Sequence, residues 1–322
     1  MKYSFVLPAY KAAFLRESID SILNQTYKDF ELIIVNDASP EDLTSIVNSY
    51  NDVRIQYYVN EKNIGGTDLV AQWNHCITYA TGEYLILASD DDVYHLNYLE
   101  KMDVLIDKYP NVNVFRPRVQ YMNADGHIRG ESEFLEEFIT HVDYIYAMDQ
   151  GRISSAIAYY IFNRIELVKI GGFVNFPSAW ASDDATVIRL ARNGVVSHDE
   201  ALFAFRMSGL NISTRSNDSK LLFDKLVATE NFFNWKIHEL NEINTEDKGA
   251  LEKIDLILSS HTKRALWYRM ASLINGSDRS AILSCWSILR KIKSLGLLDR
   301  MMIYCRVIKN LLGELNPKSK EI

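Results

Sequence analysis

Cysteine is scarce in this sequence, with 3 in 322 residues, and Cys76, Cys285 and Cys305 lie far apart. An odd, scattered set excludes a disulfide framework, and no paired spacing suits zinc or redox chemistry, so a reducing, cytoplasmic compartment is the expectation. No Gly-x-Gly-x-x-Gly follows the first strand-like run, which disfavours a nicotinamide or flavin fingerprint. Long apolar runs are missing as well. The longest, AIAYYIF from Ala156 to Phe162, falls far short of the roughly 18 to 20 apolar residues of a membrane span. The opening SFVL, from Ser4 to Leu7, lacks the basic flank and long apolar core of a secretory signal, so a soluble or peripheral protein is expected. Nor is there a basic excess: 35 Lys and Arg face 42 Asp and Glu, net -7, which argues against nucleic acid as a partner. With 48% hydrophobic and 24% charged residues, disorder and collagen are excluded.

What is present is an alternation of strand and helix signals over the first hundred residues, the pattern of an open, mostly parallel sheet flanked by helices. The run FELIIV, Phe30 to Val35, is continuously apolar, as in strands buried on both faces. RIQYYV (Arg54 to Val59) and EYLILA (Glu83 to Ala88) follow, with helical spacing at Leu69, Trp73, Cys76, Ile77 and Ala80 between them. Further strands are expected at Asn113 to Tyr121 and Ala156 to Asn163, then a helix from Arg164 to Ile170 closed by Gly171-Gly172. From about Lys220 the strand signals stop, and apolar residues recur at helical spacing through Ile282, Leu283, Trp286, Leu289 and Ile292, then Leu298, Met301, Met302, Cys305, Ile308 and Leu312. The expected organisation is an α/β domain over residues 1–215 and an all-helical extension over 216–322.

Ligands of open α/β sheets bind beyond the carboxyl ends of the strands. Here those positions hold Pro8-Ala9-Tyr10, Asn36-Asp37-Ala38-Ser39 and Ser89-Asp90-Asp91-Asp92. Adjacent carboxylates repel, so three after a buried strand point either to a bound cation or to a solvated helix start. Mg²⁺ or Mn²⁺ on one or two carboxylates commonly completes its shell with substrate phosphates. Asp37 suits either a nucleoside's imide N–H or a helix cap.

The ordered set VLPAY, IIVNDAS, NIGG, ATGEYLILASDDD, GGF and an acidic pair before IRLARNG resembles the family 2 glycosyltransferases, over roughly residues 3 to 215. The resemblance implies a GT-A fold, a nucleotide-sugar donor, a divalent metal and transfer with inversion. It places Pro8, Ala9, Tyr10 and Asn63 at the nucleotide site and Asp37 on uracil. It makes Asp91 the main metal ligand, Asp90 a ribose or water-mediated contact and Asp92 a weaker candidate. Asp183 falls on the catalytic base, with Asp184 as the alternate. The expected partners are a UDP-sugar, with dTDP as an alternative, and a glycan or lipid-linked glycan acceptor of surface polysaccharide synthesis.

Four residues depart from the family pattern: Lys11 for a common Asn, Ser89 for the first aspartate of the metal triplet, Ser182 for a frequent glutamate, and Ser208 in FRMSGLNIS for a histidine. Weaker metal binding, or a phosphate contact from Arg206, is the expected consequence; His198 reads as structural. The departures keep a non-catalytic binding protein as a rival reading, whereas a nucleotidyltransferase needs a glycine-rich loop that VLPAYKAAF lacks. Residues 280–322 carry eight basic and three acidic side chains, net +5, leaving -12 for the remainder. Its apolar stripes are expected to pack on the catalytic domain or a second subunit, an anionic membrane surface being the other reading.

Overall fold

The computed structural model describes residues 1–209, 218–276 and 284–314, with side chains through residue 310. The expected boundary at 215/216, Leu210 to Ser213 of FRMSGLNIS, Ile282, Leu283, Lys318, Lys320 and Glu321 lie outside the described residues. Two compact units are present: Met1–Asn175 with Ser182–Ser208, and Phe176–Ala181 with the residues from Gly209 onward.

The first unit begins β1 (Tyr3–Ala9), α1 (Leu15–Leu23), β2 (Phe30–Asn36), α2 (Leu43–Asn48), β3 (Ile55–Val59), α3 (Leu69–Cys76) and β4 (Tyr84–Leu87). It continues β5 (Val93–Tyr94), α4 (Tyr98–Lys108), β6 (Val114–Asn123), β7 (Ile128–Glu131), β8 (Phe138–Ile139), α5 (His141–Asp149), β9 (Ile161–Asn163), α6 (Arg164–Lys169), α7 (Ser182–Leu190) and β10 (Val195–Met207). One sheet runs β3-β2-β1-β4-β9-β6-β10-β5, with β7 on β6 and β8 on β10. The β3-β2-β1-β4 half is parallel; β9 then enters antiparallel between β4 and β6, and β6 and β10 are parallel to each other.

Burial explains the parallel half. Every residue of β2 is buried, as its continuous apolar run requires of a strand covered on both faces. Its one charge, Glu31, is 1% exposed and satisfied. It accepts from Ser4 Oγ (2.6 Å), Thr81 N (2.7 Å), Thr81 Oγ1 (2.8 Å) and Gln56 Nε2 (2.6 Å), tying β1, β3 and the entry to β4 together. Gly82 completes this end, because a Cβ there would lie 2.7 Å from the Tyr3 carbonyl carbon.

At the opposite end the strands part. β1 pairs with β4 only from Tyr3 to Val6, although it follows β2 as far as Ala9. Val6 O accepts from Ala88 N (2.7 Å), so Pro8, two residues on, turns its missing N–H toward the side where β4 has already left. Proline is tolerated there because no ladder bond is lost. The crevice between the carboxyl ends of β1 and β4, where β1 is followed by β2 on one side and flanked by β4 on the other, is a topological switch point.

Two differences from the sequence reading have local causes. Residues 157–159 form a 3₁₀ turn, so β9 is shorter than the apolar run, and the tyrosines at 159 and 160 close around Arg116 instead of alternating along a strand. The thirteen-residue β10 escapes a periodicity reading because a register irregularity between Ser197 and Ala201 carries a polar His198-Asp199-Glu200 through it.

The second unit contains α8 (Ser219–Asn241), α9 (Lys248–Ser260), α10 (Lys263–Asn275), α11 (Cys285–Lys291) and α12 (Leu297–Glu314). Asp218, Asp247 and Thr262 cap the first three by accepting from first-turn N–H groups. Leu226, Met270, Ile274, Leu289, Ile303 and Val307 are among its core. On α12, Ile303 and Val307 face that core, while Leu297, Leu298, Met301, Met302 and Ile308 are exposed. No described helix is long and apolar enough to cross a membrane.

Candidate active site

The crevice gathers the carboxylates that follow β4. Asp90 is 6% exposed, Asp91 2% and Asp92 1%. Asp90 Oδ2 accepts from the backbone N–H groups of Tyr10 (2.9 Å) and Lys11 (2.8 Å), which pins the end of β1 to the end of β4. Asp91 Oδ1 accepts from Ser89 Oγ (2.5 Å). The Lys11 ammonium lies 3.3 Å from Asp90 Oδ1 and 3.2 Å from Asp91 Oδ2. Asp92 points the other way, and its Oδ1 accepts from Arg206 N on β10 (2.8 Å).

Burial pushes the Asp90 carboxyl above the usual range, while Lys11 and the Tyr10 amide pull it back. Asp92 is raised well above that range, by burial first and by the charge of Asp91 second. Lys11 shows the opposite balance, because burial works against its charge but Asp90 and Asp91 outweigh it, holding its pKa above the ordinary lysine value.

Arg206 was expected as a phosphate contact, and the structure gives its guanidinium another role. It is 1% exposed. Nε donates to Asp91 O (2.8 Å), Nη1 to Ala124 O (3.0 Å) and Nη2 to Glu17 (2.6 Å), over the Phe14 ring at 4.3 Å. Arg206 therefore ties the acidic triplet to Ala124 and Glu17.

Asp37 at the end of β2 organises the neighbouring loop. Its Oδ1 accepts from Asn60 Nδ2 (2.7 Å) and Ile64 N (2.8 Å), and its Oδ2 from Gly65 N (2.7 Å). Gly65 is required by this approach, since a Cβ would lie 2.9 Å from Asp37 Oδ2. Oδ2 keeps a lone pair for one further donor. Asn63 closes the turn by accepting from Gly66 N (2.5 Å). Ala38 follows in the left-handed region at φ 51°, a strained position for a residue with a Cβ.

The acidic pair opens α7. Asp183 accepts from Asp184 N (2.9 Å), and the Ser155 hydroxyl acts to lower its pKa. Ser155 Oγ accepts from Tyr160 OH (3.0 Å), and the Tyr160 hydroxyl meets Tyr144 OH at 2.7 Å. The fully buried Arg116 stands 3.5 Å from the same Tyr160 oxygen. Burial raises the Asp183 pKa against these donors, a direction that makes it a stronger base. Sequence reasoning missed Ser155, Tyr160 and Tyr144. The one available signal was Arg116, a charge inside the apolar strand VFRPRVQY.

Among the described residues, His198, Asp199 and Glu200 bring ligand-type atoms within 4.8 Å of one another. They sit near the start of β10, remote along that strand from Arg206, and Glu200 is paired with Lys101. In contrast, Asp90 and Asp91 offer buried oxygen donors already facing a cation, the donor chemistry that suits Mg²⁺ or Mn²⁺.

The sequence model described as glycosyl transferase family 2 matches residues 4–169, just over half of the chain. An uncharacterized glycosyltransferase of Rickettsia typhi is 38% identical over 112 residues, covering 34% of this chain and 34% of that protein. The chain thus aligns with about a third of that curated relative's length. Among solved structures, S. aureus TarS in complex with UDP-GlcNAc superposes with a TM-score of 0.67 at 16% identity, covering 97% of this chain and 92% of that one. A mannosyltransferase of Pyrobaculum calidifontis in complex with GDP-Man and Mn²⁺ gives 0.53 at 14% identity, covering 97% and 88%. The chain belongs to glycosyl transferase family 2 and has a GT-A fold.

Proposed function

We propose that this enzyme transfers a sugar, with inversion, from a UDP-sugar to a hydroxyl of a glycan acceptor, using a divalent cation held by Asp90 and Asp91. The observation that carries the reading is the joining of Tyr10, Lys11, Asp90 and Asp91 at the β1/β4 switch point, where dinucleotide-like ligands bind in open sheets. TarS with UDP-GlcNAc and the Pyrobaculum enzyme with GDP-Man and Mn²⁺ support the donor class and the metal. The uracil preference rests on the spare lone pair of Asp37 Oδ2, which accepts an imide N–H, and a thymine base fits the same contact.

When bound, the cation supplies positive charge against the charge that builds on the departing diphosphate. The chain's own residues perform the rest. Asp183 takes the proton of the acceptor hydroxyl as that oxygen bonds to the anomeric carbon and the nucleoside diphosphate leaves from the opposite face. Tyr10 and Asp37 orient the nucleotide, so the two reactants meet as an effectively unimolecular pair. Asp184, next on α7, is the alternate base. Surface polysaccharide is the acceptor class this reading favours.

Calorimetry of UDP binding with Mn²⁺ tests the site. Asp91→Asn is expected to abolish Mn²⁺-dependent binding, and unchanged binding would remove Asp91 from the metal site. Screening UDP- and dTDP-sugars for Mn²⁺-stimulated hydrolysis then identifies the donor without an acceptor.

A further inference from the structure

The acidic triplet is contacted from two sides by the protein itself, and the contact from Lys11 is the one that brings a positive charge to its carboxylates. Arg206 bonds the Asp91 carbonyl and presents its N–H to Asp92 from behind. Lys11 places its ammonium in front, 3.3 Å from Asp90 and 3.2 Å from Asp91, through the two carboxylates that the proposed function assigns to the metal. A divalent ion approaching the pair meets a like charge already seated there, and at such separations that repulsion is substantial in a partly buried site.

We infer that Lys11 is a resident counter-cation that competes with the divalent metal for Asp90 and Asp91, so that metal binds well only when a donor diphosphate arrives with it. The metal and the ammonium compete for the same carboxylate oxygens because two positive charges that close repel. Once the diphosphate is present, its negative charge compensates both cations, and the Lys11 ammonium has a new partner on the phosphates. Lys11 thereby couples the two binding events, and this follows from the metal reading above.

The backbone N–H of Lys11, which binds Asp90, survives any substitution except proline, so side-chain variants keep the β1/β4 link. The test is Mn²⁺ binding to the full-length protein, measured by calorimetry and by the electron paramagnetic resonance of free Mn²⁺, with and without UDP. In the wild type, UDP is expected to strengthen Mn²⁺ binding by about tenfold or more. Lys11→Asn and Lys11→Met are expected to bind Mn²⁺ alone about tenfold more tightly than wild type, with the UDP enhancement reduced by the same factor. Equal or weaker Mn²⁺ binding in both variants overturns the competition while leaving the metal site standing. If Lys11→Asn with Asp91→Asn binds as tightly as Lys11→Asn alone, the ion sits elsewhere and the metal reading itself falls, together with this inference. Thermal unfolding of each variant verifies that it is folded when measured.

Discussion

Replacing Ser155 by alanine removes a hydroxyl that lowers the Asp183 pKa and leaves Asp183, the proposed base, in place. Asp183 retains the Asp184 N–H at 2.9 Å, and the hydroxyls of Tyr160 and Tyr144 lose their outlet. A hydrogen bond to a charged group contributes about 1.5–3 kcal/mol, which is a factor of roughly 10 to 150 in an equilibrium or a rate. The sign follows from which form is bonded. The Ser155 hydroxyl stabilises the ionised carboxylate, which is the form that accepts the acceptor's proton. Burial already holds the Asp183 pKa above the ordinary carboxylate value, and losing the donor moves it further up. The acid limb of the kcat profile therefore shifts to higher pH: on that limb kcat falls by about ten- to a hundredfold, and it recovers as pH climbs. Asp183→Asn instead loses about 10² or more at every pH, because no carboxylate remains. The assay is initial-rate hydrolysis of the UDP-sugar across pH, with kcat and KM resolved separately. A uniform fall of Ser155→Ala at all pH values, or a change in KM alone, would refute the relay.

Two further outcomes are expected. Glu31→Ala strands the donors of Ser4, Thr81 and Gln56 at the amino end of the sheet, and urea unfolding should show a loss of about 3–5 kcal/mol. Burial opposes the Glu31 charge, but these donors outweigh it and lower its pKa, so its stabilisation is full above the ordinary glutamate range and is lost as pH falls through the lowered value; Glu31→Gln should flatten that acid-side loss. In the second unit, α12 buries Ile303 and Val307 and leaves Leu298, Met301 and Ile308 exposed, with Arg300, Arg306 and Lys309 on the same helix. Among the described residues, packing accounts for one face of α12, and the protein should co-float with anionic vesicles at low salt and be released at about 1 M salt; absence of salt-sensitive flotation would assign the face to a second protein surface.

The parallel half of the sheet was readable because its physics is local. FELIIV is apolar without alternation because both faces are covered, and Asp37 and Asp90 follow buried strands because backbone ends there and polar groups can begin. The mixed half was harder for the same reason inverted. β10 carries charged residues through an irregular stretch, and the run from Ala156 contains a turn whose tyrosines serve Arg116, so neither shows a clean period. Residue types at the candidate site were visible, whereas the partners that set their chemistry were not. Ser155 lies 28 positions before Asp183, and no spacing rule joins them; only the fold makes the hydroxyl a donor to the carboxylate.

Arg206 and Lys11 illustrate the limit from opposite sides. Both are cations in the chain near an acidic triplet, and a reading by residue type offers Arg206 for the phosphate and treats Lys11 as a lapse from the common asparagine. Their partners differ. Arg206 is enclosed by Glu17, Ala124 O and Asp91 O, so its charge is committed to the scaffold. Lys11 reaches the crevice on a flexible four-carbon stem and meets both carboxylates without being enclosed. A dry cluster of carboxylates needs a counter-charge at every stage of a catalytic cycle, before the donor arrives as well as after. A side chain that can leave provides it in the resting state, and one that cannot leave keeps the triplet's backbone fixed while the exchange occurs. On the inference drawn above, exchange of Lys11 for a metal is the step at which the site's counter-charge changes hands.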